Sequence, residues 1–560
     1  MLQDLIGAYP VYTYKYKADA STDHSAFKQI HCWHLKRSSN GDRQLRLSRQ
    51  NTTPSMLTSL IPDVSIPSAL LAVISVLTVY WLWTKSRRPY TKYNIPPFPA
   101  PPAFLFGHLL MIRNNSRQKF REWRETVGDI FSLDIGGQHN IVVSGYDNIK
   151  DLLVKQADKI PDTPHTFRND VIKEVNKGIL GASGANWKEQ RTVSLAILRT
   201  FGMGKNVLAE KIQEEVEVYT NKLASFNGEP ADVKLLTNIS VSNVICAIII
   251  GKRFEHDDPY FMTFMEHLNN SVRYGTKMSL LKLFPFLYYV PGDLFYAKRW
   301  AKSVLATNNV FAKTYIEDIK KSFNEEEEPT TFIAAYLQEL KKRQDKGEPT
   351  LMDEANLVAI IRNLFAAGTE TTSTTTLWCM LYMLHNPEVQ EKVYQEIVAN
   401  VGSERAPNMH DKQNLTYLNA VIQETQRLAS LVPIAIPRVV RSNFEFNGYT
   451  FPKGSVIMPN IDSVLHDKKI WGDPEKFRPE RFLDASGNLT HPEETIPFSI
   501  GRRVCLGEAL AKMELFLFLS AVLQRFKLVP ADPANLPSLE AIVGITCMPH
   551  PFQIRFIERR

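Results

Sequence analysis

A mainly helical body behind a single N-terminal membrane-spanning helix is the architecture that this 560-residue sequence predicts. Three observations carry it. The 21 residues from Val64 to Thr84 hold no charged side chain, close to the roughly 20 that one helical crossing of a bilayer needs. A long apolar-periodic segment runs from Met352 to His385 and closes at Asn386-Pro387, a cap followed by proline in the first turn of the next helix. A third apolar run, LGEALAKMELFLFLSAVLQRF, follows Cys505 and reads as a helix beginning at that cysteine.

In chain order, residues 1–55 come first, with eight Lys and Arg against four Asp, a net charge of +4. They lack a long apolar run, and HCWH (His31 to His34) is too small a cluster for a closed metal site, so they read as a tail, disordered or extraneous. A mitochondrial leader would be basic and Ser-containing too, but the four Asp and the following span argue against it. Met56 opens a stretch typical of a signal anchor and is the expected initiator, with 56–63 a short luminal segment and 64–84 the anchor. Asn51-Thr52-Thr53 is a glycosylation triplet that would be luminal. Tyr80, Trp81 and Trp83 form an aromatic belt, and Lys85, Arg87, Arg88 and Lys92 mark the side that stays cytosolic. Residues 85–105, with PPFPAPP (Pro96 to Pro102), form a basic, semi-rigid linker.

Beyond the linker, NWKEQR sets Trp187 and Arg191 four apart on a helix. Within the Met352–His385 segment every residue from Thr369 to Thr376 except Glu370 is Thr or Ser. Such poor helix formers suggest a strained bend, although the same hydroxyls can bond back to the preceding turn. Glu424 and Arg427 lie three apart on one helical face, which alone would be a surface pair worth a few tenths of a kcal/mol, ~0.3. In FSIGRRVCLG, Gly501 and Gly507 let the backbone turn tightly and approach a flat macrocycle, while a helix N-terminus at Cys505 would favour its thiolate. A thiolate ligand on haem iron favours cleavage of a bound O–O bond. Cys32, Cys246, Cys379 and Cys547 read as small buried hydrophobes.

These residues resemble the cytochrome P450 superfamily, whose haem-binding signature F-x-x-G-x-R-x-C-x-G is matched by Phe498, Gly501, Arg503, Cys505 and Gly507. The resemblance runs from about Pro96 to the C-terminus. It implies one large catalytic domain, 106–560, mainly α with a smaller β part (α+β), holding haem b through an axial cysteine thiolate at Cys505. It implies that Arg481 of FRPERF joins Glu424 and Arg427 in a structural triad. It implies that Gly368 makes room for dioxygen while Glu370 and Thr371 relay protons, and that Trp187, Arg191, Arg503 and Arg438 (in IPRVV) receive the haem propionates. FGMGK, TFIAAYLQEL and SVLHD look like the family two clan of microsomal monooxygenases of animals.

The implied function is insertion of one atom of O2 into a hydrophobic small molecule, a fatty acid, steroid or xenobiotic. Electrons would come from NADPH through NADPH–cytochrome P450 reductase, with cytochrome b5 a further partner, at the endoplasmic reticulum membrane with the catalytic domain cytosolic. A glycine-rich nucleotide motif is lacking, so NADPH is not expected to bind directly. The body carries only +3 of the chain's +7, without a basic stripe, so nucleic acid is excluded. Five cysteines without short-spaced pairs fit a reducing compartment. Lys188, Arg199 and Lys205 are candidates for docking an acidic reductase. By family analogy the substrate meets Thr166–Leu180, Ser279–Pro291, Ile434–Ile436 and Ile542–Thr546, of which the last three are mostly apolar. Two rivals stand beside this: a reductase-independent isomerase or dehydratase on the same fold, and a non-catalytic haem-containing binding protein.

Overall fold

The computed structural model describes residues 66–86 and 92–559 apart from 104–105, 114, 166–170, 173, 202–205, 278–280 and 282–284. The 1–55 tail with its motifs, Met56, Arg87, Arg88, Lys205, most of FGMGK and part of two substrate stretches lie outside the described residues. The chain divides into two units, residues 1–83 and 84–560.

Helix α1 (Ile66–Ser86) belongs mainly to the first unit. Ser75 and Thr78 donate to the carbonyls of Leu71 and Ile74, both at 2.8 Å, so these hydroxyls need no outside partner. Leu71, Val76 and Val79 are exposed. Several other side chains of α1 fall outside the description, and among the described residues no helix is long and apolar enough to cross a membrane. The crossing expected at 64–84 is therefore taken up below as a proposal.

In the body, α2 (Ser116–Val127) starts where the Asn115 side chain accepts the Gln118 N–H, and it buries Phe120 and Trp123 against the sheet. Strands β1 (Ile130–Ile135) and β2 (Gln138–Val143) form a hairpin whose turn residues, Gly136 and Gly137, both take positive φ. Farther along come β3 (Arg438–Val439), β4 (Phe444–Phe446), β5 (Tyr449–Phe451) and β6 (Val456–Pro459). The four-stranded sheet runs β1-β2-β6-β3. Its β2–β6 pairing is parallel, with Asn140 opposite Val456, and the antiparallel β3–β6 pairing sets Arg438 opposite Ile457. That register fixes the backbone from which the Arg438 side chain projects.

The rest is mainly helix. The site rests on α3 (Gly184–Thr200), α4 (Lys234–Ile249), α5 (Glu354–His385), α6 (Thr416–Ala429) and α7 (Glu508–Arg525). Helix α5 is capped by Asp353, whose carboxylate accepts the Asn356 N–H at 2.6 Å, and it ends at Asn386 before Pro387 opens the next helix. Residues 377–384 are all buried, because α4, α6 and α7 surround this end. Apolar on every side, α4 and α7 can be stable only inside such a bundle.

The Thr-rich turns of α5 stay within the helix, and their hydroxyls bond back to the preceding turn: Thr371, Ser373, Thr375 and Thr376 donate to carbonyls four residues back at 2.6, 2.7, 2.9 and 3.0 Å. Tertiary burial outweighs their poor propensity. Helix α7 begins at Glu508 with Gly507 as its cap, so Cys505 lies in the loop before the helix and not at its first residue.

Candidate functional site

The loop before α7 is held by its own backbone. The Cys505 N–H donates to the Phe498 carbonyl at 3.0 Å and the Val504 N–H to the Gly501 carbonyl at 3.1 Å. Gly501 has φ +81° and backs onto the Leu153 carbonyl, where a Cβ would collide, so only glycine fits there. Gly507 has an ordinary φ of −94°, so the turn itself does not demand glycine at that position. Of the four described cysteines, Cys505 alone is exposed; Cys246, Cys379 and Cys547 are buried. Burial of the surrounding loop pushes the Cys505 thiol up, the Gly507 N–H and the Arg191 guanidinium oppose this, and Glu508 adds to it.

Three arginines from distant parts of the chain gather beside this loop. Arg191, on α3, donates to the Val504 carbonyl at 2.7 Å. Arg503 lies 4.1 Å from the centre of the Trp187 ring, also on α3, and donates to the carbonyls of Pro161 and Ala182. Arg438, on β3, donates at 2.5 Å to the Ile436 carbonyl. Their partners are carbonyls; among the described residues, Asp162, on Arg503, is the one carboxylate acting on the group. Burial pushes Arg438 down to about 9, with repulsion from Arg503 and Arg191 adding to it, and pushes Arg503 down to about 10. A partly buried trio of cations with so little counter-charge calls for a multivalent anion. Haem b, a flat ring with two carboxylates and an iron that binds thiolate, fits this donor set next to an accessible cysteine.

On α5, Ala367 is exposed, and the Thr371 hydroxyl donates to its carbonyl at 2.6 Å. Glu370 is raised above the ordinary carboxylic acid value by burial, which Lys234 and a 3.4 Å contact from the Thr374 hydroxyl partly oppose. Gly368 turns toward α4: a Cβ there would come within 2.8 Å of Ile245 Cδ1. The small size of Gly368 lets α5 approach α4, and Ala367 is the exposed small residue of that turn.

The profile of the Cytochrome P450 family matches residues 96–556. The chain belongs to the cytochrome P450 family. It is 35% identical to cytochrome P450 2U1 of Homo sapiens over 516 residues, covering 88% of this chain and 94% of the relative. It is 34% identical to cytochrome P450 2D9 of Mus musculus, covering 88% and 97%. It is 35% identical to cytochrome P450 2B4 of Oryctolagus cuniculus, covering 88% and 99%. By this membership the chain is a monooxygenase.

In this cytochrome P450 the Glu424 carboxylate is fully enclosed. Arg427 donates to it at 2.7 and 2.8 Å, Arg481 at 3.0 Å and the Arg478 backbone N–H at 2.9 Å. The remaining guanidinium N–H groups reach carbonyls of Leu465, Lys476 and Trp471, and Arg481 also pairs with the Asp473 carboxylate at 3.1 Å. SVLHD packs beside it: Ser463 accepts the Gly145 N–H, His466 meets Arg117, and Asp467 pairs with Arg124 at 2.8 Å. A groove of about 1080 Å³ opens beside Phe498, Gly501 and Val504, lined also by Lys412 and Lys512. Neither Cys505 nor any α5 residue lines it, so it is not the reaction chamber. The sequence reading passed over Glu514, a buried acid on α7, although one carboxylate inside MELFLFL is itself a signal.

Proposed function

We propose that the chain is a haem-thiolate monooxygenase that inserts one atom of O2 into a hydrophobic small molecule, with electrons from NADPH delivered by a separate reductase. The observation that carries this is the grouping of Arg191, Arg438 and Arg503 next to the one accessible described cysteine. Haem, when bound through Cys505, supplies the oxygen chemistry and enforces the thiolate that the loop alone does not favour. Arg191, Arg438 and Arg503 hold the two propionates, and the Trp187 ring keeps Arg503 in place. Glu370, raised by burial, keeps a proton more readily than an ordinary glutamate and can pass it on. Thr371, already donating to Ala367, keeps its Oγ1 lone pairs free to accept a hydrogen bond and so to orient a proton donor beside Glu370. Exposed Ala367 leaves an apolar wall beside this pair, which suits a fatty acid, steroid or xenobiotic.

Anchoring at the endoplasmic reticulum is supported by the uncharged 64–84 stretch within and before α1 and by its exposed Leu and Val side chains. Lys188 and Arg199 are exposed on α3, the helix whose Arg191 touches the cysteine loop, which supports docking of an acidic reductase there. A lipid and steroid panel incubated with reductase and NADPH tests the reading. It predicts a product heavier by one oxygen atom that needs both. Product formed without NADPH would instead mean an isomerase or dehydratase, and ligand binding without NADPH use above background would mean a binding protein.

A further inference from the structure

The face of α5 opposite Ala367 is bonded to its neighbours. Thr369 shares a 2.7 Å hydrogen bond with Ser242 of α4, and Thr372 donates to Glu514 Oε2 of α7 at 2.9 Å. Both Thr372 and Glu514 are buried, and Glu514 Oε1 has no hydrogen-bond partner. Thr372 directly follows Thr371, and Glu514 lies on the helix that grows out of the Cys505 loop. One hydrogen bond therefore ties the turn carrying Glu370 and Thr371 to the helix behind the cysteine.

We propose that the Thr372–Glu514 hydrogen bond is a positioning clamp that sets the Glu370–Thr371 turn relative to Cys505, with Glu514 working as a neutral acid. This rests on the monooxygenase reading above. An ionised carboxylate with one hydrogen bond and an orphaned oxygen in an apolar helix bundle would be costly, whereas the neutral acid is not. Burial raises Glu514 to about 8, and the Thr372 hydroxyl is all that opposes it; no charged side chain of the helices packed around α7 acts on it. The clamp should therefore hold at neutral pH; as Glu514 ionises, the Thr372 bond itself strengthens, but the uncompensated charge in an apolar bundle must draw in water or shift α7, and the setting of the Glu370–Thr371 turn is lost.

The haem-loaded full chain tests this with two measurements. Infrared difference spectra between the parent protein and Glu514→Gln should show a protonated-carboxyl band at neutral pH that fades as pH passes about 8. Product formed per NADPH should fall over the same range in the parent, stay flat in Glu514→Gln, and be lower at every pH in Thr372→Val by about fivefold, the loss of one buried hydrogen bond. No Glu514-dependent band, the same alkaline fall in Glu514→Gln, or parental coupling in Thr372→Val would each overturn the clamp. If no NADPH-dependent oxygen insertion occurs at all, the functional reading fails, and the infrared titration still decides the state of Glu514.

Discussion

Buried arginines collect in two places, and the difference lies in their counter-charge. Around Glu424, two guanidiniums and a backbone N–H converge on one carboxylate, and the spare donors end on carbonyls and on the Asp473 carboxylate. Beside Cys505, three guanidiniums repel one another and find carbonyls, with Asp162, acting on Arg503, as the one described carboxylate that offsets them. The first cluster is satisfied by partners within the chain, as a structural triad should be. The second is electrostatically unfinished, which is how a site for an anionic cofactor should look before chemistry is considered.

The largest effect should come from opening the complete cluster. Glu424→Gln leaves Arg427 fully buried without its counter-ion and Arg481 with Asp473 alone, so it should destabilise the protein by about 3–5 kcal/mol in chemical denaturation, with loss of folded yield. The unfinished cluster should respond in the opposite way. Arg438→Ala removes a guanidinium repelled by two others, so the haem-free protein should unfold no more easily than the parent, while haem affinity falls by about tenfold or more, the loss of a charge-assisted hydrogen bond. If Arg438→Ala destabilises the haem-free chain as much as Glu424→Gln does, the distinction between the clusters fails.

A smaller effect concerns pH. Glu514 binds its proton more tightly folded than unfolded, since its folded value of about 8 exceeds the ordinary 4.5. Its contribution to stability is therefore full below about 4.5 and is lost as pH rises toward 8. The slope is on the order of 1 kcal/mol per pH unit and should be missing from Glu514→Gln in denaturation curves taken across that range. The smallest effect should be kinetic: Lys188→Glu with Arg199→Glu should slow reduction by the flavoprotein reductase at low salt and much less at high salt, read by stopped flow.

Local features were legible in the sequence and long-range ones were not. The α5 boundaries came within two residues of the Met352–His385 expectation because Asp353, Asn386 and Pro387 signal them chemically. Placing the α7 start at Cys505 failed because Leu506 extends the apolar run, while Gly507 forms the cap and the Glu508–Lys512 pair at 2.7 Å marks the first turn. Arg191, Arg438 and Arg503 come from a helix, a strand and a loop, so no local pattern joins them, and only the family resemblance pointed to them together. The parallel β2–β6 pairing that sets Arg438 is equally non-local. A glycine beside a candidate acid can serve a ligand or a neighbouring helix, and the packing of Ile245 against Gly368 was not legible in the sequence.

The central claim is that the cysteine in the unfinished arginine cluster binds haem iron. The reduced, carbon monoxide-treated protein should show the thiolate-type Soret band, and Cys505→Ala should lose that band while still unfolding cooperatively. A parent protein without the band, or a Cys505→Ala variant that retains it, would contradict the account.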